Sequence, residues 1–283
     1  MNIKAFFVLV SLVVVVDSFT ISSVASRRSA TQLRSSSSFQ SDGGVSSGLI
    51  SNLAELALKL RLKGQTGVKF DVSANPSDLL LKGRVGPVTV KGRGWQSQLG
   101  LSCRAIEATI DTCELDIGRI MSNQKLVLTT PAKGEAMIAL NSADFGNFIT
   151  HPLMKPPELQ NKNNEVLVFL KEDIVVDPVS ATVTFFGSYM GEKWRLTLAR
   201  GEGEQRALVT VALEGNTETE SLAAISAELS RAISDFFNAM VFEIDGTWLT
   251  FQDMMVTAKG AAPSLMLQLK ITVRKFPSPG LEF

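Results

Sequence analysis

Between Ser264 and Arg274 apolar and polar side chains alternate without a break, with Leu265, Leu267, Leu269, Ile271 and Val273 set against Met266, Gln268, Lys270, Thr272 and Arg274. Successive side chains of a strand point to opposite faces, so this run predicts a strand with one buried face. The same period marks Glu192 to Arg200, where Trp194, Leu196 and Leu198 oppose Lys193, Arg195 and Thr197, and it marks Ile106 to Asp111. It begins again at Val88 and is interrupted by Gly92 and Gly94 before Trp95. Further strands are predicted over Glu165 to Val176, Ala181 to Tyr189, Arg206 to Glu214 and Thr247 to Ala258. Lys125 to Leu128 and Ala136 to Leu140 predict a hairpin around Pro131 and Gly134.

Elsewhere the spacing is helical. From Thr219 to Met240, Leu222, Ile225, Leu229, Ile233, Phe236, Phe237 and Met240 share one stripe, and Glu218 and Glu220 stand where the positive end of the helix dipole favours acids. Ile50, Leu53, Leu56 and Leu60 predict an amphipathic helix stopping at Gly64, and Pro76 to Leu81 a short helical turn. Asn141 is placed to cap a short helix carrying Phe145, Phe148 and Ile149 on one face, ended by His151 and Pro152. A polar, proline-bearing stretch over 156–164 is either a surface loop or a linker. Runs of strands punctuated by helices, without strict alternation, predict an α+β fold in which an antiparallel sheet wraps on one face around amphipathic helices.

The first 45 residues follow a different logic. Lys4 precedes an apolar run from Phe6 to Val16, 11 residues broken by one serine and ending at Val16-Asp17-Ser18. A bilayer crossing needs about 20 apolar residues, so the run reads as a signal-peptide core. Phe19 to Val45 holds nine serines, three arginines and one acid, the composition of a transit peptide. Residues 1–18 are thus expected to be a signal peptide, 19–45 a transit peptide or disordered leader, and 46–283 one α+β domain. Signal before transit, with phenylalanine at the cut, resembles the bipartite leader of algae whose plastid lies inside the endomembrane system. Plastid import is the expectation, with a secreted protein carrying a serine-rich linker as the alternative.

The 28 basic and 28 acidic residues balance over the chain but not along it. Ser46 to Arg104 carries nine basic residues against three acids, and Ala105 to Phe283 carries 15 against 23. Basic residues near an anionic lipid surface contribute about 1 kcal/mol each. Arg84, Lys91 and Arg93, leading into a glycine-flanked Trp95, are therefore candidate membrane or headgroup contacts, since tryptophan suits a half-wet interface. With no aromatic-interleaved basic strand and no recognition helix beside them, nucleic acid is not an expected partner.

Catalytic chemistry is poorly provided for. His151 is the single histidine, so a Ser-His-Asp or Cys-His arrangement would have to use a residue that sits at a helix end before Pro152. Glu172 with Asp173 and Glu243 with Asp245 read as solvated strand ends, so a non-enzymatic role without a cofactor is expected. Cys103 and Cys113, ten apart in an extended segment, would stand roughly 30 Å apart, beyond disulfide reach unless the chain reverses between them. They form no CxxC and suggest no metal site.

The runs Gly86 to Cys103, Glu114 to Gly118, Gln124 to Gly134, Ala139 to Phe148 and Phe242 to Gly246 resemble the LmeA-like phospholipid-binding family, a domain of unknown function, and within it the branch of oxygenic phototrophs. The resemblance covers most of the mature chain and rests on turns and strand edges. It implies a phospholipid-binding protein of elongated sheet-and-helix fold, similar to the tubular lipid-binding proteins. A carrier of this kind needs an apolar cleft with few polar groups at its mouth. Phe236, Phe237, Met240, Leu267, Leu269 and Ile271, with Phe145 and Phe148, are the candidate lining for phospholipid or another amphiphile. The alternative is a structural or assembly factor that meets a protein partner and holds no lipid.

Overall fold

The computed structural model describes residues 62–274 except 74–77, 79–81, 98–99, 124–126, 153, 158, 160–165, 204–205, 216–219, 245–246 and 259–261. The leader and the helix expected at Ile50 to Leu60 lie outside the described residues, as does most of the turn expected at 76–81.

Two antiparallel sheets dominate. The larger has seven strands in the order β1 (Gly67–Val72), β3 (Val88–Gln96), β4 (Ser102–Ile110), β6 (Ala132–Leu140), β13 (Ser264–Val273), β12 (Thr247–Thr257) and β11 (Val241–Ile244). The smaller is a meander of β7 (Val168–Asp177), β8 (Thr182–Tyr189), β9 (Glu192–Arg200) and β10 (Ala207–Leu213), with β10 and β7 at its edges. A two-residue ladder joins β2 (Arg84–Val85) to β5 (Cys113–Glu114). Helices α1 (Ile117–Asn123), α2 (Ser142–Ile149) and α3 (Glu220–Asn238) complete the described elements. The architecture is α+β with antiparallel pairing, as the period-two runs require.

The expected hairpin around Pro131 and Gly134 does not form. β6 starts at Ala132 and runs through Gly134, while Leu128 bridges to Leu115. The glycine answers to packing and not to a turn, because a Cβ at position 134 would lie 2.2 Å from the backbone oxygen of Thr109 on β4. Gly92 and Gly94 likewise sit inside a continuous β3.

Helix α3 closes the outer edge of the meander. An edge strand presents unpaired N–H and C=O groups, and a buried unpaired group is costly. On α3, Ser226, Ser230, Ser234 and Asn238 recur every four residues and face β10. Ser234 Oγ accepts from Val209 N at 2.8 Å, Ser230 Oγ from Val211 N at 2.9 Å, and Asn238 Oδ1 from Ala207 N at 2.9 Å. Asn238 Nδ2 and Ser226 Oγ donate to Ala207 O and Val211 O. Ser230 and Ser234 send their own hydroxyl protons back to the helix carbonyls of Ser226 and Ser230, so one hydroxyl serves helix and strand together. Beside this polar stripe, Leu229, Ile233 and Phe237 enter a hydrophobic cluster shared by both sheets, with Leu196, Leu198 and Val209 from the meander and Ala136, Leu269 and Ile271 from the seven-stranded sheet.

Two stability predictions follow from this arrangement. Ser234→Ala should cost about 1–3 kcal/mol, because Val209 N is left buried without an acceptor, and Ser230→Ala should cost less, at a half-buried position. Urea melts read the order, and equal melts would show the stripe to be incidental. The β8–β9 turn holds Met190 at φ +56° before Gly191 at φ +76°, with Met190 exposed. Asparagine tolerates that conformation better, so Met190→Asn should raise stability by about 1 kcal/mol, and a lower melting temperature would contradict the turn assignment.

Candidate functional site

A cavity of about 140 Å³ lies between the inner face of the seven-stranded sheet and the C-terminal end of α2. Its buried floor is Ile106, Leu140, Leu249, Leu267 and Leu269, with Trp95 at one side. Its half-exposed rim includes Leu62, Leu101, Phe148 and Phe242. The rings of Phe148 and Phe242 meet edge to face at 6.0 Å, linking α2 to β11 across the space.

Few polar groups reach the cavity. Asn141 caps α2 in a reciprocal box with Asp144, and Asp144 Oδ1 also accepts from Ser102 Oγ on β4. Asn147 Nδ2 donates to Ser102 Oγ at 2.8 Å, so two side chains of α2 pin the helix to the sheet. That anchorage turns Phe148, and His151 in the turn after it, toward the cavity. Burial holds the His151 imidazole below its ordinary pKa, so it stands at the wall as a neutral ring. Cys103 also lines the space. Burial, with the Asp144 carboxylate adding to it, pushes its thiol up to about 12, and burial alone takes Cys113 up to about 11. Both cysteines are free. No cluster of three or more His, Cys, Asp or Glu among the described residues is placed to hold a metal ion.

Of the lining residues expected from sequence, Leu267, Leu269 and Phe148 border the cavity. The other five do not. Ile271 lies farther along β13 and is fully buried. Phe145, Phe236 and Phe237 belong to an aromatic cluster around Phe185 and Phe169, with centroids 5.4 Å apart for Phe145 and Phe185 and 6.3 Å for Phe185 and Phe237, and Met240 joins the same closed core. Their apolar stripe meets other side chains and not a void.

The membrane set also needs correction. Trp95 is 4% exposed and its indole donates to Gly67 O at 3.2 Å, so it offers no ring to a surface. It reaches inward because β3 kinks at Gly94, which has φ +58°, and because Gly92 leaves room: a Cβ there would sit 1.9 Å from the indole. Lys91 is paired with Glu107 at 2.7 Å and Arg84 with Glu114 at 2.9 Å. Arg93 is exposed on the face opposite the cavity, since it precedes the kink in the row of Lys91.

A raised thiol pKa lowers the thiolate fraction, which is the reactive form, by about a thousandfold for Cys103 and a hundredfold for Cys113 near neutral pH. Alkylation followed by peptide mass spectrometry should therefore run slowest at Cys103, faster at Cys113 and fastest in the unfolded chain; Cys103 reacting first would contradict its raised pKa. Because the folded state keeps protons the unfolded chain loses, the two thiols' contribution to stability is complete below about pH 9 and declines as pH rises toward 11 and 12. The chain matches no protein-family model, no curated protein and no solved structure.

Proposed function

We propose that the protein binds the hydrocarbon part of a phospholipid or another amphiphile in the cleft between α2 and the seven-stranded sheet, without catalysing a reaction on it. The observation that carries the reading is a preformed space whose floor is leucine and isoleucine, with polar atoms confined to the side where α2 is anchored. Apolar transfer into such a site is favourable by about 0.8 kcal/mol per methylene, and a dry apolar cavity near 150 Å³ is large enough for benzene. The 140 Å³ volume thus sizes the bound part at about six carbons of one chain, with the remainder of the molecule beyond the rim.

The resemblance to the LmeA-like family supports phospholipid as the cargo class, and the bipartite leader supports a plastid membrane as the place of work. A curved, tubular arrangement of the sheet belongs to this same proposal. Among the described residues no helix is long and apolar enough to cross a membrane.

Mass spectrometry of organic extracts from the purified mature protein should find stoichiometric lipid, and extracts free of lipid would favour the assembly-factor alternative. Ile138→Phe adds volume to the cavity wall and displaces about one methylene of a guest, so it should weaken binding of a fluorescent fatty acid about fourfold. Overpacking an ordinary core costs about 1–3 kcal/mol, whereas here the added ring enters empty space and the melting temperature should hold. Unchanged affinity in this variant would remove the cleft from consideration.

A further inference from the structure

The face of the seven-stranded sheet turned away from the cleft carries its own groove, of about 390 Å³, lined by Arg93, Arg104, Ala105, Ala139, Ser264 and Met266. Strand alternation places it there: Ile106, Ile138 and Leu267 line the cleft, while their neighbours Ala105, Ala139 and Met266 line the groove. Arg93, Ala105, Ala139 and Met266 lie in one row across four strands, paired Arg93 with Ala105, Ala105 with Ala139, and Ala139 with Met266. Two alanines between an arginine and a methionine leave a trough with a guanidinium at one end and a thioether at the other.

The electrostatics of the trough are one-sided. No acid lines it, and Arg93 has no ion-pair partner among the described residues, in contrast to Lys91 and Arg84. Arg104 is held by Nη1, which donates to Ala262 O and, at 2.8 Å, to Oγ of Ser264 in the groove wall, so its guanidinium is fixed in place at little further entropic cost. Guanidinium groups match the geometry of oxyanions through paired N–H donors, and arginine is favoured wherever phosphate is recognised.

We infer that Arg93 and Arg104 form an oxyanion site that takes a phosphate, either in a phospholipid headgroup or free in solution. The site deepens the amphiphile reading by supplying its membrane contact, but it shares no residue with the cleft, so each can fail alone.

The experiment compares wild type with Arg93→Gln, Arg93→Glu and the double variant Arg93→Gln/Arg104→Gln, with Lys270→Gln as a control for charge on the same face. Arg93 is exposed, so its variants fold even if Arg104 variants lose the contacts to Ser264 and Ala262. In co-sedimentation with vesicles of phosphatidylcholine alone or mixed with phosphatidylglycerol, the anionic vesicles should lose affinity about fivefold for Arg93→Gln and about thirtyfold for the double variant, with little change for Lys270→Gln. Phosphorus NMR of inorganic phosphate is the second arm: broadening by wild type and not by Arg93→Glu assigns the site to free phosphate, and loss of vesicle binding without broadening assigns it to the headgroup. Wild-type behaviour of Arg93→Glu in both arms, or an equal loss in Lys270→Gln, would overturn the inference. Ile138→Phe should leave vesicle binding intact, which separates this site from the cleft.

Discussion

The pairing of β6 with β13 is the constraint on which both faces of the large sheet depend. It runs through nine consecutive partners, from Leu140 with Leu265 to Ala132 with Val273, and it joins segments separated by the whole meander and α3. Strands β1, β3, β4 and β6 come from one side of the seam and β13, β12 and β11 from the other. Closing so long a loop carries an entropic cost that local contacts do not share, and topologies dominated by such non-local pairing fold slowly. Its register leaves no freedom. Slipping by one residue would set Leu267 opposite Ala139 in place of Ile138, so one of the two strands would have to turn its apolar row from the cleft floor to the face of the arginine trough.

The meander inserted between the halves needs a different solution, because a four-stranded sheet has two edges. At β10 the answer is polar: a stripe of three serines and an asparagine on α3 replaces the missing strand. At the other edge α2 packs against β7, with Gly146 admitting Lys171 O to 3.0 Å of where its Cβ would stand. The helix that fixes the meander is therefore the one that sets one wall of the cleft. Arg200 on β9, bonded through Nε to Asp253 on β12 at 3.0 Å, ties the sheets directly.

Much of this fold is legible in the amino-acid sequence, for a physical reason. A strand buried on one face must alternate, and alternation delimits β9 and β13 to within a residue; α3 is marked by a stripe of six apolar side chains, with Met240 of the expected stripe just beyond its end. β11 is four residues long and too short to show a period, whereas β1 alternates Val68, Phe70 and Val72 with Lys69 and Asp71, a legible signal that the expected strands omit; Gly134 is a turn signal only until the neighbouring strand is known. The site was harder to see. Periodicity says that Phe237 and Leu267 are both inward, but whether an inward side chain meets another or a void depends on what stands opposite. Charge shows the same limit. The excess of basic residues up to Arg104 is real along the chain, yet Lys91 and Arg84 find Glu107 and Glu114 just beyond it, so folding neutralises much of the contrast and leaves Arg93, of the set named from sequence, without an ion-pair partner among the described residues.

The placement of cleft and trough on opposite faces restricts what an amphiphile can do here. A single lipid cannot seat its chain against Leu267 and its phosphate against Arg93, because the seven-stranded sheet lies between them. If the arginines hold a membrane headgroup, the cleft opens away from that membrane. Direct withdrawal of a chain from the docked bilayer is then geometrically disfavoured, and the arrangement suits a tethered protein that receives or presents its chain on the far side. The polar end of a guest held in the cleft would instead leave over the rim of Leu62, Leu101, Phe148 and Phe242, on the side of the sheet away from the two arginines.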